Sequence, residues 1–100
     1  MYLKMNDKKI WPEGEKYYRV DTGDVAQVNL DLDVSEGWNE IELWDFDFVT
    51  LNDLLGVFKF KVDDNPGIYS TSMKVLERNS TASYVLFWEI LDKEGKSVKD

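Results

Sequence analysis

Three carboxylates lie close together in the middle of the sequence: Asp45, Asp47 and Asp53. No Lys or Arg occurs from Glu40 to Val57, so like charge gathers there without a counter-charge in the segment. Neighbouring carboxylates disfavour one another's ionised form, and folding alone gives no reason to collect them. A hard divalent cation offsets such a cluster, because Ca²⁺ takes about six to eight oxygen ligands and accepts the irregular geometry of a loop. The competing reading is a solvated acidic loop on an acidic protein. An EF-hand opens similarly, with Asp-x-Asp, but the match ends there. Val49 stands where a third oxygen ligand belongs, Thr50 where the sharp-turn Gly belongs, and Gly56 where the closing bidentate Glu belongs.

Other chemistries lack their central residues. The chain has no His and no Cys, which removes imidazole acid–base catalysis, serine and cysteine triads, the usual zinc sites and any disulfide framework. No enzymatic activity is expected. Absence of Cys suits a reducing cytosol and is equally compatible with export. Twelve basic against twenty acidic residues give a net charge of −8, the wrong sign for a nucleic-acid backbone or an anionic leaflet. No apolar run approaches the ~20 residues of a bilayer span, and no basic-then-apolar stretch marks a secretory signal. One hundred residues suit a single core.

The elements that must position the carboxylates are strands. Ile41 and Leu43 alternate with Glu40 and Glu42 before the acidic loop, and Phe58, Phe60 and Val62 alternate with Val57, Lys59 and Lys61 after it. That is the period of a strand pair with one buried face. Upstream, Met1 to Val20 reads as three short strands broken at Asn6-Asp7 and Pro12-Glu13-Gly14. After a turn at Asp21 to Asp24, Val28 to Val34 alternates cleanly and predicts a half-buried antiparallel strand. Downstream, Asp63 to Gly67 is a turn and Ile68 to Leu76 an edge or irregular strand. Glu77 to Ala82 is a polar loop. Ser83 to Leu91 is apolar on both faces and predicts a central strand. No segment carries a helical period with caps. The fold expected is all-β, an antiparallel β-sandwich of seven to eight strands, over residues 1–91, with a charged tail over 92–100.

Trp44-Asp45-Phe46-Asp47, a five-residue spacer, then Asp53, Leu55 and Gly56 before a new strand, resembles the third calcium-binding loop of C2 domains. Asn52 ahead of Asp53 fits the Asn-Asp pair common there. The resemblance implies a C2-like fold, Ca²⁺ as cofactor, coordination by Asp45, Asp47 and Asp53, and docking on a phospholipid membrane surface or a protein partner. The chain looks abbreviated: only twenty-odd residues precede Val28 to Val34, where the family has four further strands, and the family's first-loop acid pair has no motif here.

Geometry suggests substitutes. If every connection joins antiparallel neighbours, alternate loops share one end of the sandwich, and Asp7, Asp21, Asp24 and Glu77 join the rim of Asp45, Asp47 and Asp53. Asp21 and Asp24 are the nearest candidates for completing the metal site. Phe48, Val49 and Leu51, at the loop tip, are candidate membrane or partner contacts, while Phe46 folds back between two ligand candidates. Trp11, Trp38, Trp44 and Trp88 read as packing residues, with sugar stacking as the sharper alternative. Asn79-Ser80-Thr81 matches a glycosylation sequon of little specificity. The function expected is a Ca²⁺-binding C2-like module. The alternative is a non-catalytic binding or structural β-sandwich with a protein or carbohydrate partner and a vestigial metal loop.

Overall fold

Alternating residues from Gly37 to Leu43 and from Val57 to Val62 form the longest strand pair of the molecule. A computed structural model describes residues 1–21, 23–32, 34–47, 49, 51–76 and 83–91 of the chain. Seven strands occur among them and no helix: β1 (Tyr2–Met5), β2 (Lys8–Trp11), β3 (Gly37–Asp45), β4 (Asp53–Val62), β5 (Gly67–Ser72), β6 (Lys74–Val75) and β7 (Val85–Ile90). All pairings are antiparallel, in a five-stranded sheet of order β2-β1-β3-β4-β6 and a two-stranded sheet β5-β7.

β1 and β2 join through Asn6 and Asp7, both at positive φ (53° and 63°). That conformation is the one a tight two-residue hairpin requires, and Asn and Asp tolerate it. β1 then lies between β2 and β3, with Tyr2 opposite Trp44 and Lys4 opposite Glu42. The inward row of this sheet (Leu3, Trp11, Ile41, Leu43, Leu55, Phe58, Phe60) is buried together with Met73, and Tyr84, Leu86 and Trp88 from the β7 segment pack against it. Trp88 ties the two sheets together. Its ring meets Phe60 at 4.9 Å and Tyr69 at 4.8 Å, and its Nε1 donates to Thr71 Oγ1 at 3.0 Å.

Three sequence expectations need correction. Tyr17 to Val20 is not a strand, although Tyr18 and Met1 exchange two backbone hydrogen bonds of 2.7–2.8 Å. Val28 to Val34, where described, is irregular, and Asn29 sits at φ 48°, a left-handed conformation that breaks an extended run. Val28 and Leu30 nonetheless pack against the core, while Leu32 is exposed. Finally, β7 is not central: among the described residues it pairs with β5 alone, with Phe87 72 % exposed. β5 and β6, separated at Met73, match the irregular strand expected there. Glu77, the loop 77–82 with its sequon, and the tail 92–100 lie outside the described residues, as does Phe48.

The insertion of β1 beside β3 also breaks the rule used to assign loops to ends. Met1 lies at the end of the sheet where Asp45 stands, and the Asn6-Asp7 turn lies at the other. Asp7 is therefore not on the rim of Asp45, because β2 and β3 are not neighbours.

Candidate functional site

The loop that carries the three carboxylates grows out of a bulge. β3 and β4 pair in register from Gly37–Val62 to Leu43–Gly56, then skip Leu55, so that Trp44 faces Leu54 and Asp45 faces Asp53. The extra residue turns Leu55 into the core beside the Gly56 position, and a bulge bends and twists the strand that holds it. Beside the bulge, Gly56 lets β6 approach closely because it has no side chain. A Cβ there would stand 2.7 Å from Met73 Cγ and Sδ, and closer still to the Lys74 carbonyl oxygen. β6 crosses directly against it, with Val75 opposite Gly56.

Asp45 and Asp53 thus close the mouth of the loop as direct cross-strand partners, a placement that sets like charges against each other. Both are exposed. Asp45 also faces two groups from elsewhere. The Met1 ammonium has its pKa lowered, first by burial, with the negative charge of Asp45 acting in the opposite sense. The Tyr84 phenol is raised, first by burial and then by Asp45. One cationic and one phenolic group therefore lie within electrostatic reach of Asp45.

Above the mouth, Asp47 is held by the loop itself. Its Oδ1 accepts the Val49 N–H at 2.8 Å, and its own N–H donates to Asn52 Oδ1 at 2.9 Å. Asn52 in turn donates from Nδ2 to the Tyr2 hydroxyl at 2.9 Å, pinning the loop to β1. Phe46 folds back as expected and stacks on Tyr17 at 5.1 Å with the rings 7° apart. Val49 and Leu51 project instead, 91 % and 88 % exposed. Asp21 and Asp24 serve a turn of their own: Asp24 N–H donates to Asp21 O and Asp24 Oδ2 accepts the Asp21 N–H, both at 2.9 Å, and Asp21 pairs with Arg19 at 3.4 Å.

These positions can be compared with what Ca²⁺ requires. Asp45 and Asp53 are brought together, and Asp47 is on the loop that spans them. Among the described residues, however, no three acidic side chains converge into a group able to hold a metal ion. The donor set as placed falls short of the six or so oxygens that Ca²⁺ takes.

The outer face of the sheet contains contacts that sequence reasoning missed. Tyr2 stacks on Trp44 at 6.2 Å, Lys4 Nζ lies 5.0 Å from the centre of the Trp44 ring, and Trp44 Nε1 donates to Glu42 Oε1 at 3.2 Å. Their only sequence signal is the outward phase of Glu42 and Trp44, which does not disclose that β1 is the neighbour. Trp11 is buried and Trp44 and Trp88 are half-buried, as packing predicts. Trp38, at 73 % exposure, is not. No family model, curated protein or solved structure matches the chain.

Proposed function

We propose that this chain is a non-catalytic, C2-like β-sandwich module whose working end is the β3–β4 loop, with Ca²⁺ as its ligand. The observation that supports this reading is the Asp45–Asp53 pair, set directly opposite across the loop mouth on a segment with no Lys or Arg from Glu40 to Val57. A bound cation converts that repulsion into coordination. Asp45, Asp53 and Asp47 are the ligands proposed, with Asp47 giving up its Val49 contact to join the pair. Asp21 and Asp24 are the remaining candidates, and taking part would draw them from their own turn. The exposed apolar tip, with Val49 and Leu51 described and Phe48 beside them in sequence, is the proposed contact to a membrane surface or a protein.

Calorimetric titration with Ca²⁺ tests this directly. Saturable binding in the micromolar to millimolar range, weakened by Asp45→Asn and Asp53→Asn, is the expected result. The absence of a three-carboxylate group among the described residues favours a second reading, in which the loop is vestigial and the sandwich binds a protein or carbohydrate partner. A flat Ca²⁺ titration selects that reading.

A further inference from the structure

Trp38 lies on the outer face of β3, at the end of the hairpin opposite the acidic loop, and its exposure sets it apart from the other three tryptophans. We infer that Trp38 is a stacking platform for a neutral pyranose sugar, with Glu40 and Lys59 gripping the hydroxyls at the ring edge. This goes beyond the Ca²⁺ reading and does not depend on it.

The argument starts from how the indole is held. Gly37, at φ +97°, turns the chain into β3. Asn39 Nδ2 donates to Ser35 O at 2.8 Å and to Gly37 O at 3.2 Å, so the approach to Trp38 is clamped by its own neighbour. From Gly37 onward the strand is paired residue by residue with β4. The ring is therefore presented from a rigid scaffold, which limits the entropy lost when a ligand settles on it. Such a side chain, 73 % exposed, shows a large apolar surface to water.

The surroundings select among ligands. Alternation puts Trp38 and Glu40 on one face, with Lys61 opposite Trp38 and Lys59 opposite Glu40. Lys59 Nζ and Glu40 Oε1 are 3.6 Å apart. Trp38, Asn39, Glu40 and Lys59 together line a shallow cleft of about 300 Å³, at the lower end of the range for ligand pockets. An organic cation would meet Lys59 and Lys61, and an anion would meet Glu40. A wholly apolar ligand would strip water from an ion pair and give nothing in return. A pyranose meets none of these objections. Its C–H face matches the indole, and each hydroxyl both donates and accepts, so it can donate to the carboxylate and accept from the ammonium.

The test is an NMR titration of the whole chain, in EDTA, with cellohexaose, chitohexaose and maltohexaose in turn. It follows the four tryptophan indole N–H signals up to about 10 mM sugar, tenfold above a weak millimolar Kd. A saturable shift of the Trp38 signal with at least one sugar is expected. Trp38→Ala should weaken binding by about tenfold or more, and Glu40→Gln should weaken it less. Both positions are exposed, so a circular dichroism spectrum identical to the parent's is expected for each variant. Silence of the Trp38 signal with all three sugars overturns the inference, as does sugar binding that survives Trp38→Ala. Because Ca²⁺ is excluded, neither result bears on the acidic loop.

Discussion

Gly56→Ala tests the close approach of β6 beside the bulge that shapes the acidic loop. The added methyl lands 2.7 Å from Met73 Cγ and Sδ and still nearer the Lys74 carbonyl oxygen. A side-chain clash alone would be cheap, because Met73 can rotate away. The backbone carbonyl cannot, since β6 is fixed by the Gly56–Val75 pairing and by the Leu76 N–H to Leu55 O bond of 2.9 Å. Relief requires β6 to move outward, which stretches that bond and lifts Met73 from the core. Forced overpacking of this kind costs ~1–3 kcal/mol. At ~2 kcal/mol, a domain of this size loses ~8–16 °C in Tm, and with m near 2 kcal/mol/M its urea midpoint falls by ~1 M. Urea unfolding followed by tryptophan fluorescence measures this. Adding Met73→Ala to Gly56→Ala should not rescue the loss, because the Lys74 carbonyl stays in place and a cavity is added. A Gly56→Ala midpoint within about 0.2 M of the parent's refutes the reasoning, and so does full rescue by Met73→Ala.

Other outcomes follow from the same geometry. If the loop binds Ca²⁺, a hundredfold excess over Kd stabilises the fold by ~2.7 kcal/mol, seen as a rise in Tm. Asp53→Asn should remove most of that rise while leaving the metal-free protein no less stable, since it takes away one of two opposed charges. A Tm unchanged by Ca²⁺ up to about the millimolar range of weak sites ends the proposal. Co-sedimentation with neutral-lipid vesicles in Ca²⁺ should be lost in a Val49→Ser, Leu51→Ser double variant, each buried apolar side chain being worth ~1.5–3 kcal/mol; retention by that variant places any membrane contact elsewhere. At the other end of the hairpin, the Glu36 carboxyl is raised above the usual range, first by its hydrogen bond with Asp64, then by the charge of Asp64, by desolvation and by the charge of Asp63. A carboxyl raised in the folded state takes up its proton more readily there than in the unfolded chain, so its contribution to stability grows as pH falls through the raised value and is lost as pH rises. Glu36→Gln should therefore raise Tm at neutral pH, with the difference shrinking as pH falls toward the ordinary carboxylate range. A difference that is constant with pH contradicts this.

Much of the β3–β4 hairpin was legible because its signals are local. The alternation of Ile41 with Leu43, and of Phe58 with Phe60, predicts the β3–β4 pair. The Asn6-Asp7 turn separates β1 from β2. The neighbours of each strand were not legible. Sequence order suggests β2 beside β3, yet β1 fills that place, because an antiparallel hairpin can add to a sheet by either of its strands. That choice moves Asp7 away from the rim, puts the Met1 ammonium near Asp45, and sets Tyr2 on Trp44 and under Asn52. None of these contacts leaves a trace in residue spacing.

Val28 to Val34 shows the same limit from another side. Its apolar residues alternate as well as those of β3, yet Asn29 adopts a left-handed backbone and the described residues form no ladder. Periodicity reports which side chains seek the interior, and here it holds for two of them: Val28 and Leu30 line an open cleft of about 1180 Å³ with Phe60, Leu86 and Trp88, while Leu32 is exposed. It does not report whether the backbone finds a partner. A strand requires both, since its N–H and C=O groups must be satisfied by a neighbour or by water. Among the described residues of this segment, Val28 and Leu30 cover the core while the backbone joins neither sheet. β7 is the complementary case, fully paired with β5 on one edge but with Val85 and Phe87 turned to solvent. Hydrophobic content placed β7 at the centre and clean alternation placed 28–34 in a sheet; hydrogen bonding, which neither pattern encodes, reversed both.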